Sequence, residues 1–340
     1  MEGDKGTVCV TGGTGYVGSW LIKLLLELGH SVHTTVRADP GNNRDLSFLT
    51  NLPGANERLK IFTADLNDPE SFGTAIEGCK GVFHVAAPMD FQDNEPEAVV
   101  TQRSIDGTLG ILKTCLRSNT VKKVVYTSSI TAVYFNKIKN VEIMDESYWS
   151  DVDYIRSEVK SYVSSYAITK TSTEKAVLEF AAQHGLDLVS IIPPMVLGPF
   201  ICPKMHGPVR TALSPILGSR KNNILLLNLA MVHMDDLARA FIFLLEHPEA
   251  KGRYNCSSDT VTAPKIVEIL STNHPEFPIV DTLEGIGGAK LPGLSSKKLL
   301  DLGFRFKDKG GPDTMQSIDD ADAILLLKII GFFCSNYMKI

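Results

Sequence analysis

Tyr166 and Lys170 stand four residues apart in the run Tyr166-Ala167-Ile168-Thr169-Lys170. On a helix that spacing sets a phenol and an ammonium on one face, one turn apart. A free phenol titrates at about 10 and is a poor proton donor or acceptor at neutral pH. A nearby cation stabilises the phenolate, and a shift of about three units would correspond to roughly 4 kcal/mol of differential interaction. The pair therefore predicts proton donation to a substrate oxygen. Upstream, Ser128 and Ser129 close the apolar run Lys123-Val124-Val125-Tyr126-Thr127. A hydroxyl at a strand end can hold a substrate carbonyl while a hydride arrives from one face, although such a serine can equally cap the turn that follows.

A hydride needs a carrier, and Gly12-Gly13-Thr14-Gly15-Tyr16-Val17-Gly18 supplies a place for one. Gly12, Gly15 and Gly18 recur at spacings of three, after an apolar run and before a helical pattern. A diphosphate reaches bare backbone only where Cβ atoms are missing, and the N–H groups at a helix start then hold its charge. Cofactor contacts are expected from these glycines and from Tyr16 and Val17 between them. The second strand ends Thr35-Val36-Arg37, and Arg44 follows on the same loop. Two guanidinium groups there suit the 2′-phosphate of NADP, whereas Asp39 on the same loop would suit the ribose hydroxyl of NAD. The balance favours NADP. Asp65 and Leu66 at the third strand's end are placed to meet the adenine, and Val85, Ala86 and Ala87 to line the cofactor beside the fourth, with Thr127 at the fifth.

These groups need a scaffold that collects strand ends on one edge. Thr7 to Thr11, Ser31 to Arg37, Leu59 to Asp65, Gly81 to Ala87, Val121 to Ser129 and Leu186 to Ile192 are nearly continuous apolar runs, with helical spacing between most of them. Strands of that kind are buried on both faces, which predicts an α/β fold with a doubly wound parallel sheet. From Ser19 to Leu28 the helical pattern turns Trp20, Leu21, Leu24, Leu25 and Leu28 inward, and Gly29 ends it. The expected division is a cofactor domain over 1–192 and a smaller, irregular substrate lobe over 193–340, interleaved with the core near 231–256. Beyond Pro193, Gly198-Pro199, Cys202-Pro203, Gly207-Pro208 and Gly218 predict loops and short helices. Met195, Phe200, Pro203, Met205, Leu225, Leu226 and Leu227 are candidates for an apolar cleft. His233 in Val232-His233-Met234-Asp235-Asp236 is expected to be a hydrogen-bonded structural histidine leading into a helix.

The glycine loop, the strand-end serine and the Tyr/Lys pair, in this order, resemble the extended branch of the short-chain dehydrogenase/reductase family. Val10 to Trp20, Arg37-Ala38-Asp39-Pro40, Ser47 to Ala55, Asp145-Glu146-Ser147, Tyr166 to Glu179, Met231 to Leu245 and Gly252 to Cys256 narrow the likeness to the plant dihydroflavonol reductase group, on its isoflavanone-reducing side. It runs from about residue 6 to about residue 307. The resemblance implies a Rossmann domain, NADPH as cofactor, and hydride transfer to the ketone of an apolar phenolic or (iso)flavonoid-type substrate. Position by position it implies Ser129, Tyr166 and Lys170 as the catalytic set, Pro193 and Val196 beside the nicotinamide, and Met89, Tyr134 and Ala230 toward the substrate. Dihydroflavonol reductases carry Asn and Gln where this chain has Tyr134 and Ala230, which argues against dihydroflavonol reduction itself. The N-W-Y-C-Y-G-K signature of cinnamoyl-CoA reductases is replaced by Val163-Ser164-Ser165-Tyr166, and the tail from Asp308 departs from the group. Two other readings share the motifs: a nucleotide-sugar epimerase on the same scaffold, and a non-catalytic NADP-sensing protein.

Composition bounds the rest. The 340 residues carry 34 basic and 39 acidic side chains, a formal charge of -5, so no electrostatic footprint for nucleic acid is present. Six cysteines are scattered without a C-x-x-C pair, which predicts reduced, mostly buried thiols and no metal site. The polar start lacks an export signal, and the apolar stretch Ile324 to Phe333 is broken by Lys328 and too short to span a bilayer. A cytoplasmic protein acting on a small molecule, with no membrane partner, is expected.

Overall fold

The apolar runs assemble into a sheet whose strands all point the same way. The computed structural model describes residues 5–39, 41, 44–87, 95–159, 163–203, 228–262, 272 and 291–307. In chain order come β1 (Thr7–Thr11), α1 (Tyr16–Glu27), β2 (Ser31–Val36), α2 (Ser47–Thr50), α3 (Ala55–Arg58), β3 (Leu59–Thr63), α4 (Gly73–Ile76), β4 (Gly81–His84), α5 (Glu97–Arg117) and β5 (Lys123–Thr127). There follow β6 (Ile143–Met144), α6 (Val152–Glu158), α7 (Ser164–His184), β7 (Leu188–Ile192), β8 (Met195–Leu197), β9 (Asn228–His233), α8 (Met234–Glu246), β10 (Gly252–Asn255), β11 (Asp259–Thr262), β12 (Gly293–Leu294) and α9 (Lys297–Asp301). The main sheet has seven strands in the order β10-β7-β5-β4-β1-β2-β3. Every pair in it is parallel. The expected doubly wound α/β sheet is therefore present.

Strand periodicity divides the interior in two. Val8, Val10, Phe83, Val125, Val189 and Ile191 face one core with Leu21, Ile22, Leu25, Leu237 and Phe241 of α1 and α8. The residues between them, Cys9, Val82, Val124 and Tyr126, face a second core with Ile111, Leu112, Val177 and Phe180 of α5 and α7. Successive side chains on a strand point to opposite faces, so strands covered on both sides read as unbroken apolar runs. β4 and β7 are buried along their whole length, while the edge strand β3 is partly exposed. Phe83 is fully buried on β4 and meets Phe241 edge-on at 6.1 Å between ring centroids. Phe83→Ala should lower the free energy of unfolding by about 3–5 kcal/mol in urea titrations, because the site cannot collapse around the lost ring.

Several expectations need correction. β1 covers its expected run, but β2, β3, β4 and β5 end before Arg37, Asp65, Ala87 and Ser129, which leave the ladder for the loops that follow. α1 starts at Tyr16 rather than Ser19, and Leu28 is 38% exposed, because it falls at the C-cap where Gly29 takes a φ of +86°. Residues 198–203 form the expected loop, Gly207, Pro208 and Gly218 lie outside the described residues, and the segments on either side add a second sheet the motifs did not predict, β11-β9-β8, with β8 parallel and β11 antiparallel to β9. Its pairing joins β8, β9 and β11 across long stretches of chain, which no local pattern announces. Phe200 is buried against Tyr16 and belongs to the core, not to an open cleft. Met205, Leu225, Leu226, Leu227 and the tail from Asp308 lie outside the described residues.

Cys9, Cys79, Cys115, Cys202 and Cys256 are free, buried thiols, as expected, and Cys334 lies outside the described residues. Among the described residues no helix is long and apolar enough to cross a membrane.

Candidate active site

The sheet order reverses between β1 and β4, the place where open α/β sheets leave a crevice at the strands' carboxyl ends. The glycine loop leaves β1 there. Gly12 has φ +76°, and a Cβ on it would meet the Ala86 Cα at 3.0 Å; a Cβ on Gly18 would sit 2.4 Å from the Gly12 carbonyl oxygen. Gly12 thus permits the turn, and Gly18 lets α1 close onto it. Gly15 is the N-cap of α1; no side chain caps this end and no acidic residue lies in the first turn. The first intrahelical bond runs from Ser19 N–H to the Gly15 carbonyl, so the N–H groups of Val17 and Gly18 lack intrahelical acceptors. The Tyr16 side chain turns away: its hydroxyl donates to the Gly198 carbonyl at 2.9 Å, joining the loop to the segment after β8.

The crevice floor is held by a hydroxyl shared between β1 and β4. The Val85 and Ala86 N–H groups both donate to Thr11 Oγ1, at 3.1 and 3.0 Å. With its acceptor sites used, Thr11 donates to His84 Nδ1 at 2.9 Å, which leaves His84 Nε2–H for Thr108 Oγ1 at 3.2 Å. His84 is neutral. Burial first, then the Lys170 cation, pushes its pKa down to about 3. Ala87 follows directly on this floor, and Met89 lies outside the described residues.

At the far end of β2, Arg37 is exposed and Arg44 donates from its guanidinium to the Arg37 carbonyl at 2.9 Å. Both basic groups therefore share one loop. Asp39, the alternative ribose ligand, accepts the Gly41 N–H at 3.4 Å within its own turn. Asp65 accepts from the N–H and the side-chain amide of Asn67, both at 2.8 Å, and Leu66 is partly exposed beside it.

The proposed chemistry groups converge on β5 and α7. Lys170 is buried and donates to the Thr127 carbonyl at 2.9 Å, with its ammonium 6.0 Å from the centroid of the Tyr166 ring. Burial pulls the Lys170 pKa down to about 8, against an opposing pull from Glu174. Tyr166 departs from expectation. Burial raises its phenol above the usual value, and a hydrogen bond with Ser129 is what pulls it back toward the phenolate. The ammonium is engaged with backbone rather than set on the phenol oxygen, so its anticipated influence is secondary here.

The geometry separates the two serines. Ser128 Oγ donates to Glu174 Oε2 at 2.7 Å in the buried interior. Ser129 Oγ caps the next turn, accepting from Thr131 N–H at 3.3 Å and Thr131 Oγ1 at 3.1 Å, and it also bonds Tyr166. Capping and contact with the phenol turn out to be one arrangement. Pro193 accepts the Ile130 N–H at 3.0 Å, and Val196 is buried on β8 beside Val232 of β9. The partly buried Tyr134 packs with Val133, Met144, Ile192 and Ala230 around this end. His233 caps α8, as expected, accepting the Asp235 N–H at 3.2 Å.

Do these residues fit a pyridine dinucleotide? The glycine cradle would be filled by any Cβ, the α1 terminus offers uncapped N–H groups, and the buried Thr127 hydroxyl has no hydrogen-bond partner. They fit. Sequence reasoning missed His84, Glu174 and Arg253; only the repeat of Tyr166, Lys170 and Glu174 at four-residue intervals on α7 hinted at one of them.

Known proteins resemble this chain over most of its length. The family model "NAD dependent epimerase/dehydratase family" matches residues 8–257. The chain is 54% identical over 309 residues to vestitone reductase of Medicago sativa, covering 90% of this chain and 94% of that protein. It is 44% identical over 308 residues to dihydroflavonol 4-reductase of Hordeum vulgare, covering 90% and 86%. The crystal structure of vestitone reductase from alfalfa matches with a TM-score of 0.82 at 49% identity, over 96% of this chain and 100% of that one. The resemblance read from the motifs holds.

Proposed function

The chain belongs to the NAD dependent epimerase/dehydratase family, and from that premise we propose that it is an NADPH-dependent carbonyl reductase acting on the ketone of an apolar, (iso)flavonoid-type substrate. One observation carries the reading: Ser129, Tyr166 and Lys170 meet at the carboxyl end of β5, on the same edge of the parallel sheet as the uncapped glycine loop. The relatives named vestitone reductase and dihydroflavonol 4-reductase support the substrate class.

NADPH, when bound, supplies the hydride. Gly12, Gly15, Gly18 and the first N–H groups of α1 would hold its diphosphate, Arg37 with Arg44 its 2′-phosphate, Asp65 and Leu66 its adenine, and Thr127, Pro193 and Val196 its nicotinamide end. Ser129 orients the substrate carbonyl. Tyr166 gives its proton to the carbonyl oxygen as negative charge develops there, and Lys170 stabilises the resulting phenolate and binds the nicotinamide ribose. Tyr134 and Ala230 would face the substrate. An epimerase would call for an acidic group on the ribose; here the exposed group at the β2 end is Arg37, and Asp39 is turned to Gly41.

The reading is tested by a spectrophotometric screen of isoflavanones, flavanones, dihydroflavonols and aryl aldehydes with NADPH. Isoflavanones should be turned over fastest and dihydroflavonols poorly, given Tyr134 and Ala230. For the cofactor, Arg37→Ala should raise KM for NADPH by about 10–100-fold and leave KM for NADH nearly unchanged, the size expected for lost charge-assisted bonds of roughly 1.5–3 kcal/mol. Equal effects on both cofactors would remove Arg37 from the phosphate site.

A further inference from the structure

Beneath the catalytic groups lies a buried ion pair that the chemistry above does not use. Glu174 on α7 is fully buried, and Arg253 on β10 is 7% exposed. Glu174 Oε1 accepts from Ser190 Oγ and from Arg253 Nε at 3.0 Å; Oε2 accepts from Ser128 Oγ at 2.7 Å and from Arg253 Nη2 at 3.2 Å. Arg253 Nη1 donates to the Glu146 and Tyr148 carbonyls, both at 2.7 Å, and the guanidinium lies 3.5 Å from the centroid of the Trp149 ring. Each carboxylate oxygen thus meets one guanidinium N–H and one serine hydroxyl. A fully satisfied buried pair of this kind adds little stability over an apolar replacement of equal shape. Its value must lie in what it holds in place.

What it holds is the end of β5. Glu174 stands one turn beyond Lys170 and two beyond Tyr166 on the same face of α7, and its partners come from β7 (Ser190), β10 (Arg253) and the residue after β5 (Ser128). Side chains alternate along extended backbone, and Ser129 is extended, with φ -159° and ψ 151°. Ser128 bonds Glu174 while the next residue bonds Tyr166 two turns earlier on that helix, so with Ser128 tethered to Glu174, Ser129 is the hydroxyl left for the phenol. We propose that Glu174 is a positioning residue: by tethering Ser128, and held in turn by Arg253, it sets which serine hydroxyl faces Tyr166 and aligns α7 with the strand ends.

The same carboxylate faces Lys170. The groups around that ammonium are Glu174 and Tyr166 on α7, the Tyr126 ring and Thr127 carbonyl of β5, and the neutral His84 of β4. Glu174 is the anion among them, and it favours the protonated lysine against the pull of burial. Removing its charge lowers the pH at which Lys170 loses its proton, and with the proton goes the support for the phenolate.

This inference rests on the reductase reading, and the experiment separates the two. Glu174→Gln, Ser128→Ala and Tyr166→Phe are compared for kcat across pH and for NADPH affinity by fluorescence titration. The Tyr166→Phe arm tests the reductase reading alone, and a fully active Tyr166→Phe protein would end it. In Glu174→Gln, kcat should fall by about 10-fold or more, the cost of misaligned groups, and its alkaline limb should move to lower pH by about one unit. In Ser128→Ala, kcat should fall while that limb and NADPH affinity stay put. An unmoved alkaline limb in Glu174→Gln, or a full kcat in Ser128→Ala, overturns the positioning role. If Glu174→Gln does not fold, Ser128→Ala decides the matter by the same criterion.

Discussion

Tyr166→Phe should lower kcat for ketone reduction by about 10²–10⁴-fold, the usual contribution of a positioned general acid, with little change in NADPH affinity. The substitution removes one oxygen from a ring that stays in its place on α7, so packing is preserved and the loss falls on the chemical step. The size follows from the surroundings. Burial raises the phenol and Ser129 lowers it, so at neutral pH Tyr166 is a proton-bearing acid whose anion is supported by a neighbouring hydroxyl and by Lys170. Without it, the carbonyl oxygen loses its positioned proton donor. Steady-state kinetics and a binding titration on the same preparation check the result.

Ser129→Ala should cost about 10²–10³-fold in kcat, comparable to removing one donor from an oxyanion site. Ser128 cannot substitute, because its hydroxyl is committed to Glu174 at 2.7 Å. Ser129→Ala also frees the Thr131 N–H and hydroxyl that Ser129 caps. The stability loss from a missing cap is about 1 kcal/mol, so thermal melts run alongside the kinetics will tell a local unfolding effect from a lost contact with substrate. A Ser129→Ala protein with near-normal kcat would move the carbonyl-holding role elsewhere.

Much of this was legible in the residues alone, for physical reasons. The central strands could be read because both faces are apolar, so Val8, Cys9 and Val10 are all buried whichever core they face. The glycine loop could be read because only missing Cβ atoms allow Gly18 to approach Gly12. Tyr166 and Lys170 could be paired because helix geometry is local. What stayed hidden depends on distant partners. Arg253 meets Glu174 from 79 positions away, and no local pattern announces that. The direction of the Tyr166 shift depends on what covers the ring, which only the packed chain supplies. Phe200 read as a cleft residue because apolar side chains in a core and in a cleft look alike, and its contact with Tyr16 decides between them. The strands β8, β9 and β11 find their partners far along the chain, so their own residues do not announce the pairing.

The proposed reaction is reduction of a ketone by a hydride from NADPH with Tyr166 as the acid. NADPH carrying deuterium at its transferable position, an isoflavanone as acceptor, and mass spectrometry of the alcohol formed test it. One deuterium is expected on the carbinol carbon with the unaltered protein, and product formation reduced by about 10²-fold or more with Tyr166→Phe. An alcohol without the label, or labelled alcohol formed equally well by both proteins, would contradict it.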